Sequence, residues 1–290
     1  MKTEFTQYLE KQHLKKETIT NYNTRLKRIQ KLHSNIDTLS LEDLYQFKNQ
    51  LKEQGFSLAT IKQYFLVLKY YYRFKERKDN PALLIKFQKR QQTLPTNLLT
   101  EHELYDLYSS FQANRILEIR NKVMLGIMVF QGLKRAEIEH LELHHIEPDK
   151  GIIYVPSTTQ TNARTVELHP MQMQFLLKYL YEVRALLLTE TKKQTNRLFF
   201  SMGTGITINN VLQHSIHEMR KTHSYFKSLI QIRESRISLW LKEFGIRKSQ
   251  YLCGMKYASS MMRYVTKDVE KLRQKLVLVH PMERLINIGN

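Results

Sequence analysis

The sequence predicts a mainly α-helical protein with one small antiparallel β-sheet, divided into two domains. Three observations carry this. Apolar residues recur at helical spacing through most of the 290 residues, which hold only 9 glycines and 6 prolines to interrupt them. Residues 152–155 and 165–168 alternate like two strands on either side of the polar stretch 156–164 (PSTTQTNAR), as in a hairpin. A polar, basic segment, 86–98 (KFQKRQQTLPTNL), separates an all-helical first part from a mixed second part and reads as a linker. The expected division is therefore 1–85, a linker at 86–98, and 99–290.

In the first domain, 5–9 is a short amphipathic segment. Thr18 then opens a helix with Ile19, Tyr22, Leu26 and Ile29 on one face and Arg25, Lys27, Arg28 and Lys31 on the other. Ser40-Leu-Glu-Asp43 has the form of a capping box, followed by Leu44, Phe47 and Leu51 and closed by Gly55. Ser57 caps a helix with Ile61, Phe65, Leu68 and Tyr72 as its core stripe and Lys69 and Arg73 among its cations. Asp79-Asn80-Pro81 ends it, since the residue before a proline avoids helix. In Tyr70-Tyr71-Tyr72, core packing is expected for at least one ring, with stacking on bases as the alternative.

Thr100-Glu-His-Glu103 is a second capping box. Residues 120–130 form a strongly apolar helix, broken by Gly132, and 134–143 form another. After the hairpin, Pro170 opens a long helix to Leu188, and 197–201 (RLFFS) has the composition of a third strand. Helices are expected at 208–221, 229–244, 248–252, 259–265 and 269–277.

Composition narrows the function. The balance of 46 Lys and Arg against 27 Asp and Glu gives a net charge of +19, spread over many segments. Such a field attracts polyanions, and counterion release makes nucleic acid the natural partner. The single cysteine, Cys253, excludes a disulfide framework and a cysteine-based zinc site. His140 and His144 have helical i, i+4 spacing, but no acidic metalloprotease signature surrounds them, so no metal or other cofactor is expected. A polar N-terminus and apolar runs too short for a bilayer lead to the expectation of a cytoplasmic protein with no membrane association.

The densest stretch is 228–265. It holds a helical run with Arg233, a Gly245 break, a basic turn, Gly254, and Tyr264 ten residues beyond that glycine. Together with GLKRAEIEHLELHHIEPDKGIIYV at 132–155, with LSLEDLYQFKNQLKEQGFSLATIKQYFLVLKYYYRF and its DNP turn, and with the LTEHEL helix start, this order of motifs resembles the tyrosine recombinase (phage integrase) family from end to end. The resemblance is nearest to compact mobile-element integrases. It implies a two-domain clamp: a helical, SAM-like core-binding domain and a catalytic domain, both on double-stranded DNA.

The implied chemistry is attack of a tyrosine oxygen on a phosphodiester to give a 3′-phosphotyrosyl link. Cations stabilise the phosphoryl oxygens, and a lysine acid protonates the leaving 5′ oxygen. No cofactor is implied. Carried over position by position, Tyr264 is the nucleophile, Arg233 the second arginine, and Lys134 stands where the family has its first arginine. The hairpin lysine position is Thr159, and the two histidine positions are Ile230 and Met255, so two of the six positions keep the family residue. Lysine keeps the charge of arginine but loses its bidentate fork, and isoleucine and methionine donate no hydrogen bond to phosphate. Candidate substitutes are Arg135, Arg164, Lys256 and Arg263. DNA-backbone contacts are expected from Arg25, Lys27, Arg28, Lys69, Arg73, Lys89 and Arg90.

The expected function is a site-specific recombinase or integrase. The alternative is a catalytically impaired, non-enzymatic DNA-binding relative that regulates or assists recombination. The family also implies a homo-oligomer, a tetramer on paired DNA sites, with the 269–277 helix docking on a neighbouring protomer; the alternative is that this helix packs on its own domain.

Overall fold

The computed structural model describes residues 3–265 except 34, 89–94, 96, 204–207 and 209–210. The chain forms two compact units, Met1–Gln91 and Gln92–Asn290. Lys89, Arg90 and the expected helix at 269–277 lie outside the described residues.

The first unit is four helices, α1 (Glu4–Lys11), α2 (Lys16–Leu32), α3 (Leu41–Glu53) and α4 (Leu58–Phe74), with a 3-10 turn at Pro81–Leu83. Helix α4 touches the other three. It can do so because its apolar residues are not confined to one stripe: Ile61, Tyr64, Phe65, Val67, Leu68, Tyr71 and Tyr72 are all buried. Leu9, Ile29, Leu44, Phe47 and Leu51 close the core, each contributing about 2 kcal/mol by leaving water. The tyrosine run belongs to this core. Tyr72 donates to the Ile36 carbonyl at 3.0 Å and Tyr71 to Asp37 Oδ1 at 2.8 Å, tying the α2–α3 connection to α4, while the Tyr70 ring packs on Tyr22.

The second unit begins with α5 (Glu101–Ser109), α6 (Ile116–Gln131) and α7 (Arg135–His140). A three-stranded antiparallel sheet follows, β1 (Ile146–Glu147), β2 (Ile152–Val155) and β3 (Arg164–Glu167), in that spatial order. Ile153 pairs with Val166, and both face the core. Helices α8 (Pro170–Lys178) and α9 (Arg184–Thr191) are continuous through a π turn at Tyr179–Val183. Helix α10 (Gln213–Thr222) starts later than its periodicity suggests, and α11 (Leu229–Leu252) carries a kink at Gly245, with φ +73°. Every residue of α6 from Ile119 to Gln131 is buried, and α11 and α8 both pack on it.

Residues 197–201 do not form the expected strand. Arg197 makes a single bridge to Glu142, and Leu198, Phe199 and Phe200 are consecutively buried instead of alternating. Three carbonyls of this segment, those of Arg197, Leu198 and Phe200, are taken by side chains. Tyr179 donates to Leu198 O at 2.6 Å, Arg120 to Phe200 O at 3.0 Å and Arg184 to Arg197 O at 2.9 Å. A backbone satisfied in this way needs no ladder. The sheet's third strand is the two-residue β1.

Both capping boxes form. At α5 the Glu103 N–H donates to Thr100 Oγ1 at 3.2 Å, and the Thr100 N–H to Glu103 Oε2 at 2.7 Å. Thr100→Ala removes the first of these and is expected to cost about 1 kcal/mol. The check is the urea midpoint followed by fluorescence of Trp240, the single tryptophan, which lies in this unit. Among the described residues no helix is long and apolar enough to cross a membrane.

Candidate active site

The site is organised by a carboxylate. Glu137, on the first turn of α7, is completely buried. Its Oε1 accepts from Arg164 Nη1 at 2.7 Å, with both side chains fully out of solvent. Its Oε2 accepts from the Lys134 backbone N–H at 2.8 Å and lies 3.5 Å from Arg233 Nη1. One residue thus joins α7, the start of β3 and the second turn of α11. Burial pushes the Glu137 carboxyl up, but the Arg164 hydrogen bond and the charges of Arg164 and Arg233 outweigh it and hold it below the usual carboxylate range.

Arg233 is buried and fixed on three sides. Besides Glu137, Nη1 donates to the Gly132 carbonyl at the end of α6, and Nη2 donates to the Cys253 carbonyl at 2.7 Å. Lys134 is half-buried at the start of α7. Its amine is pushed below the usual lysine range by burial first and by the Arg233 charge second. Among the described residues its ammonium has no hydrogen-bond or ion-pair partner.

Gly254 lets the hairpin dock. Its φ is +66°, and a Cβ there would collide with Arg164 Nη1 and lie 2.9 Å from Cζ. Only glycine lets the Arg164 guanidinium pass. The Asn162 N–H donates to the Gly254 carbonyl at 2.9 Å, and Thr161 pairs with Met255. The loop between β2 and β3 is thereby held against the segment that precedes Tyr264.

Tyr264 is only 5% exposed and sits in a cluster with Ile237, Trp240, Leu241, Cys253 and Met261. Burial raises its phenol to about 12, with the Arg263 and Arg233 charges opposing. The Arg263 guanidinium lies 5.3 Å from the Tyr264 ring centroid and pairs with Glu234, the neighbour of Arg233 on α11. Among the described residues no side chain hydrogen-bonds the Tyr264 hydroxyl.

The fold brings Lys134, Arg164, Arg233 and Tyr264 to one locus, with Arg233 coupled electrostatically to the other three. Arg164, an expected stand-in for a missing cation, is instead a buried strut: Nε donates to Leu252 O at 2.7 Å and Nη1 to Glu137. Met255 packs against the Tyr264 cluster. Thr159, Lys256 and Arg135 are exposed, and Ile230 is 70% exposed one turn before Arg233. In the first unit Lys27, Arg28 and Arg73 are exposed, and Arg25 and Lys69 are half-buried. Among the described residues no group of three or more His, Cys, Asp or Glu is placed to hold a metal.

Sequence reasoning missed Glu137. Its signal was present: it stands three residues after Lys134, at the position where a capping-box acid belongs, and it binds the Lys134 N–H accordingly. A lysine in place of the usual serine or threonine hid the pattern.

The family model for the phage integrase N-terminal SAM-like domain matches residues 3–79, and that for the phage integrase family matches 97–271. Tyrosine recombinase XerD of Vibrio vulnificus is 24% identical, over 92% of this chain and 90% of its own. Tyrosine recombinase XerD of Oceanobacillus iheyensis is 25% identical, over 74% and 77%. The Tn1549 transposon integrase in complex with transposon right end DNA has the same fold, with a TM-score of 0.66 at 18% identity, over 95% of this chain and 99% of that one. XerH bound to its difH substrate gives a TM-score of 0.68 at 17% identity, over 85% and 76%. With a helical SAM-like unit followed by this catalytic unit, the chain belongs to the phage integrase family of tyrosine recombinases.

Proposed function

We propose that this chain is a site-specific DNA recombinase that cuts and rejoins duplex DNA through a 3′-phosphotyrosyl link to Tyr264. The observation that carries the reading is the convergence of Tyr264, Arg233 and Lys134, from three separate parts of the sequence, around the Gly254 backbone and the docked hairpin loop. Arg233 and Lys134 supply positive charge where the attacked phosphate gains negative charge. The covalent link stores the energy of the broken diester, so rejoining needs no external energy source. The exposed cations of α2 and α4 hold the phosphate backbone. The working assembly is a tetramer across two duplexes, in the cytoplasm.

The test starts with duplexes that the full-length protein selects from a randomised pool. These are rebuilt with a nick beside each candidate phosphate, so that cleavage releases a short strand and traps the covalent adduct. The expected result is a protein–DNA adduct on a denaturing gel that vanishes in Tyr264→Phe, while duplex affinity stays within about 2-fold, because the lost hydroxyl makes no hydrogen bond among the described residues. Selective, salt-dependent binding with no adduct on any nicked duplex would overturn the reading in favour of a DNA-binding protein that does not cleave.

A further inference from the structure

We infer that Lys134 is the general acid of this site: its ammonium protonates the 5′ oxygen as that oxygen leaves phosphorus. The inference rests on the recombinase reading above and names a role within it.

The leaving group is a primary alkoxide, a strong base, and a positioned acid typically accelerates such a step by roughly 10²–10⁴. The donor must be a cation that can release its proton. A guanidinium cannot do so in a protein. That removes Arg233, Arg164 and Arg263, which are in any case bonded to Gly132 and Cys253 carbonyls, to Glu137 and the Leu252 carbonyl, and to Glu234. Glu137 is ionised and fully occupied by its partners. The hairpin loop 157–163 contains no lysine or histidine, and Ile230 and Met255 hold no transferable proton.

Lys134 meets each requirement. Glu137 Oε2 receives its backbone N–H at 2.8 Å and faces Arg233 Nη1 at 3.5 Å, so the lysine is seated beside the phosphate-binding arginine by one shared oxygen. Its ammonium is half-buried and uncommitted among the described residues. The surrounding burial and the Arg233 and Arg164 charges favour release of its proton. If the position served only to grip phosphate, arginine would do it better through two bonds. Lysine is the side chain that adds a transferable proton to that charge.

The step balances. The Tyr264 oxygen bonds to phosphorus and its proton passes to water. The P–O5′ bond breaks with its electron pair on O5′, which takes a proton from Lys134 and becomes a 5′-hydroxyl. Water returns the tyrosine's proton to the neutral amine, and rejoining runs the same transfers backwards.

The test compares two selected nicked duplexes that differ only at the scissile phosphate, one with the natural 5′ oxygen and one with a 5′-bridging sulfur. Sulfur leaves as a stable thiolate and needs no acid. Lys134→Ala and Lys134→Arg are expected to slow adduct formation on the oxygen duplex by about 100-fold or more, and on the sulfur duplex by less than about 10-fold. Lys134→Arg keeps the charge, and unchanged duplex binding reports that the fold is intact. Equal losses on both duplexes would overturn the assignment and leave Lys134 a purely electrostatic group. Selective rescue of Lys256→Ala in place of the Lys134 variants would overturn it in favour of the exposed lysine. A wild-type protein that forms no Tyr264 adduct on either duplex would sink the recombinase reading and this role with it.

Discussion

Glu137→Gln is expected to destabilise the catalytic unit by about 3–5 kcal/mol, the cost of leaving buried charge without its partner. The substitution preserves volume, so the loss isolates charge. Arg164 and Arg233 would both remain in the interior with no anion between them. Neither can swing to solvent, because Arg164 is also held by Leu252 O and Arg233 by Gly132 O and Cys253 O. Urea unfolding followed by Trp240 fluorescence gives the number. Adding Arg164→Met to Glu137→Gln should cost less than the sum of the single changes, since the second removes a cation the first had stranded.

The pH dependence has a defined sign. Glu137 is held below its ordinary value in the folded protein, so its contribution is complete above the unfolded carboxylate range, about pH 4.3. It is lost as pH falls through the lower folded value. The stability gap between wild type and Glu137→Gln should therefore be flat from about pH 8 to about 5.5 and narrow below about 4. A gap that stays constant down to acid unfolding would show that the carboxylate charge is not what stabilises the fold.

Gly254→Ala is the second large effect, expected at about 4 kcal/mol. Part is conformational, since φ +66° costs a residue with a Cβ about 1 kcal/mol. The larger part is displacement of the Arg164 guanidinium, which would collide with the new methyl and is fully buried in bonds to Glu137 and the Leu252 carbonyl that a shift would break. The control lies in the same unit. Gly151 has φ +64° but nothing within 4 Å of where an added methyl would sit, so Gly151→Ala should cost only the conformational part, about 1 kcal/mol. Equal losses at the two glycines, by the same fluorescence measurement, would remove the Arg164 contact as the cause.

The helices of both units were legible because their apolar spacing is regular and their caps are spelled out, as at Ser40 and Thr100. The hairpin was legible because β2 and β3 alternate against one core. Residues 197–201 misled because three large apolar residues in a row also suit a buried loop whose carbonyls side chains can reach. The two-residue β1 is too short for any periodicity to show. At the site, motif order located Arg233 and Tyr264, but spacing says nothing about who neutralises whom. Arg164 has the look of a spare cation in the sequence, and only its 0% exposed ion pair with Glu137 shows otherwise. Burial of a charge is a tertiary fact, written in the sequence only through partners far apart in it.

The docking of the β2–β3 loop has a further consequence. What fastens it is main chain on main chain, Asn162 N–H to Gly254 carbonyl and Thr161 beside Met255, with an internal Thr158–Thr161 hydroxyl contact at 2.8 Å closing its turn. None of these involves the side chain of Thr159, which stands exposed at the tip. The loop's place and the residue at its tip are therefore independent: the side chain at 159 can be exchanged without disturbing the contacts that hold the loop against 254–255.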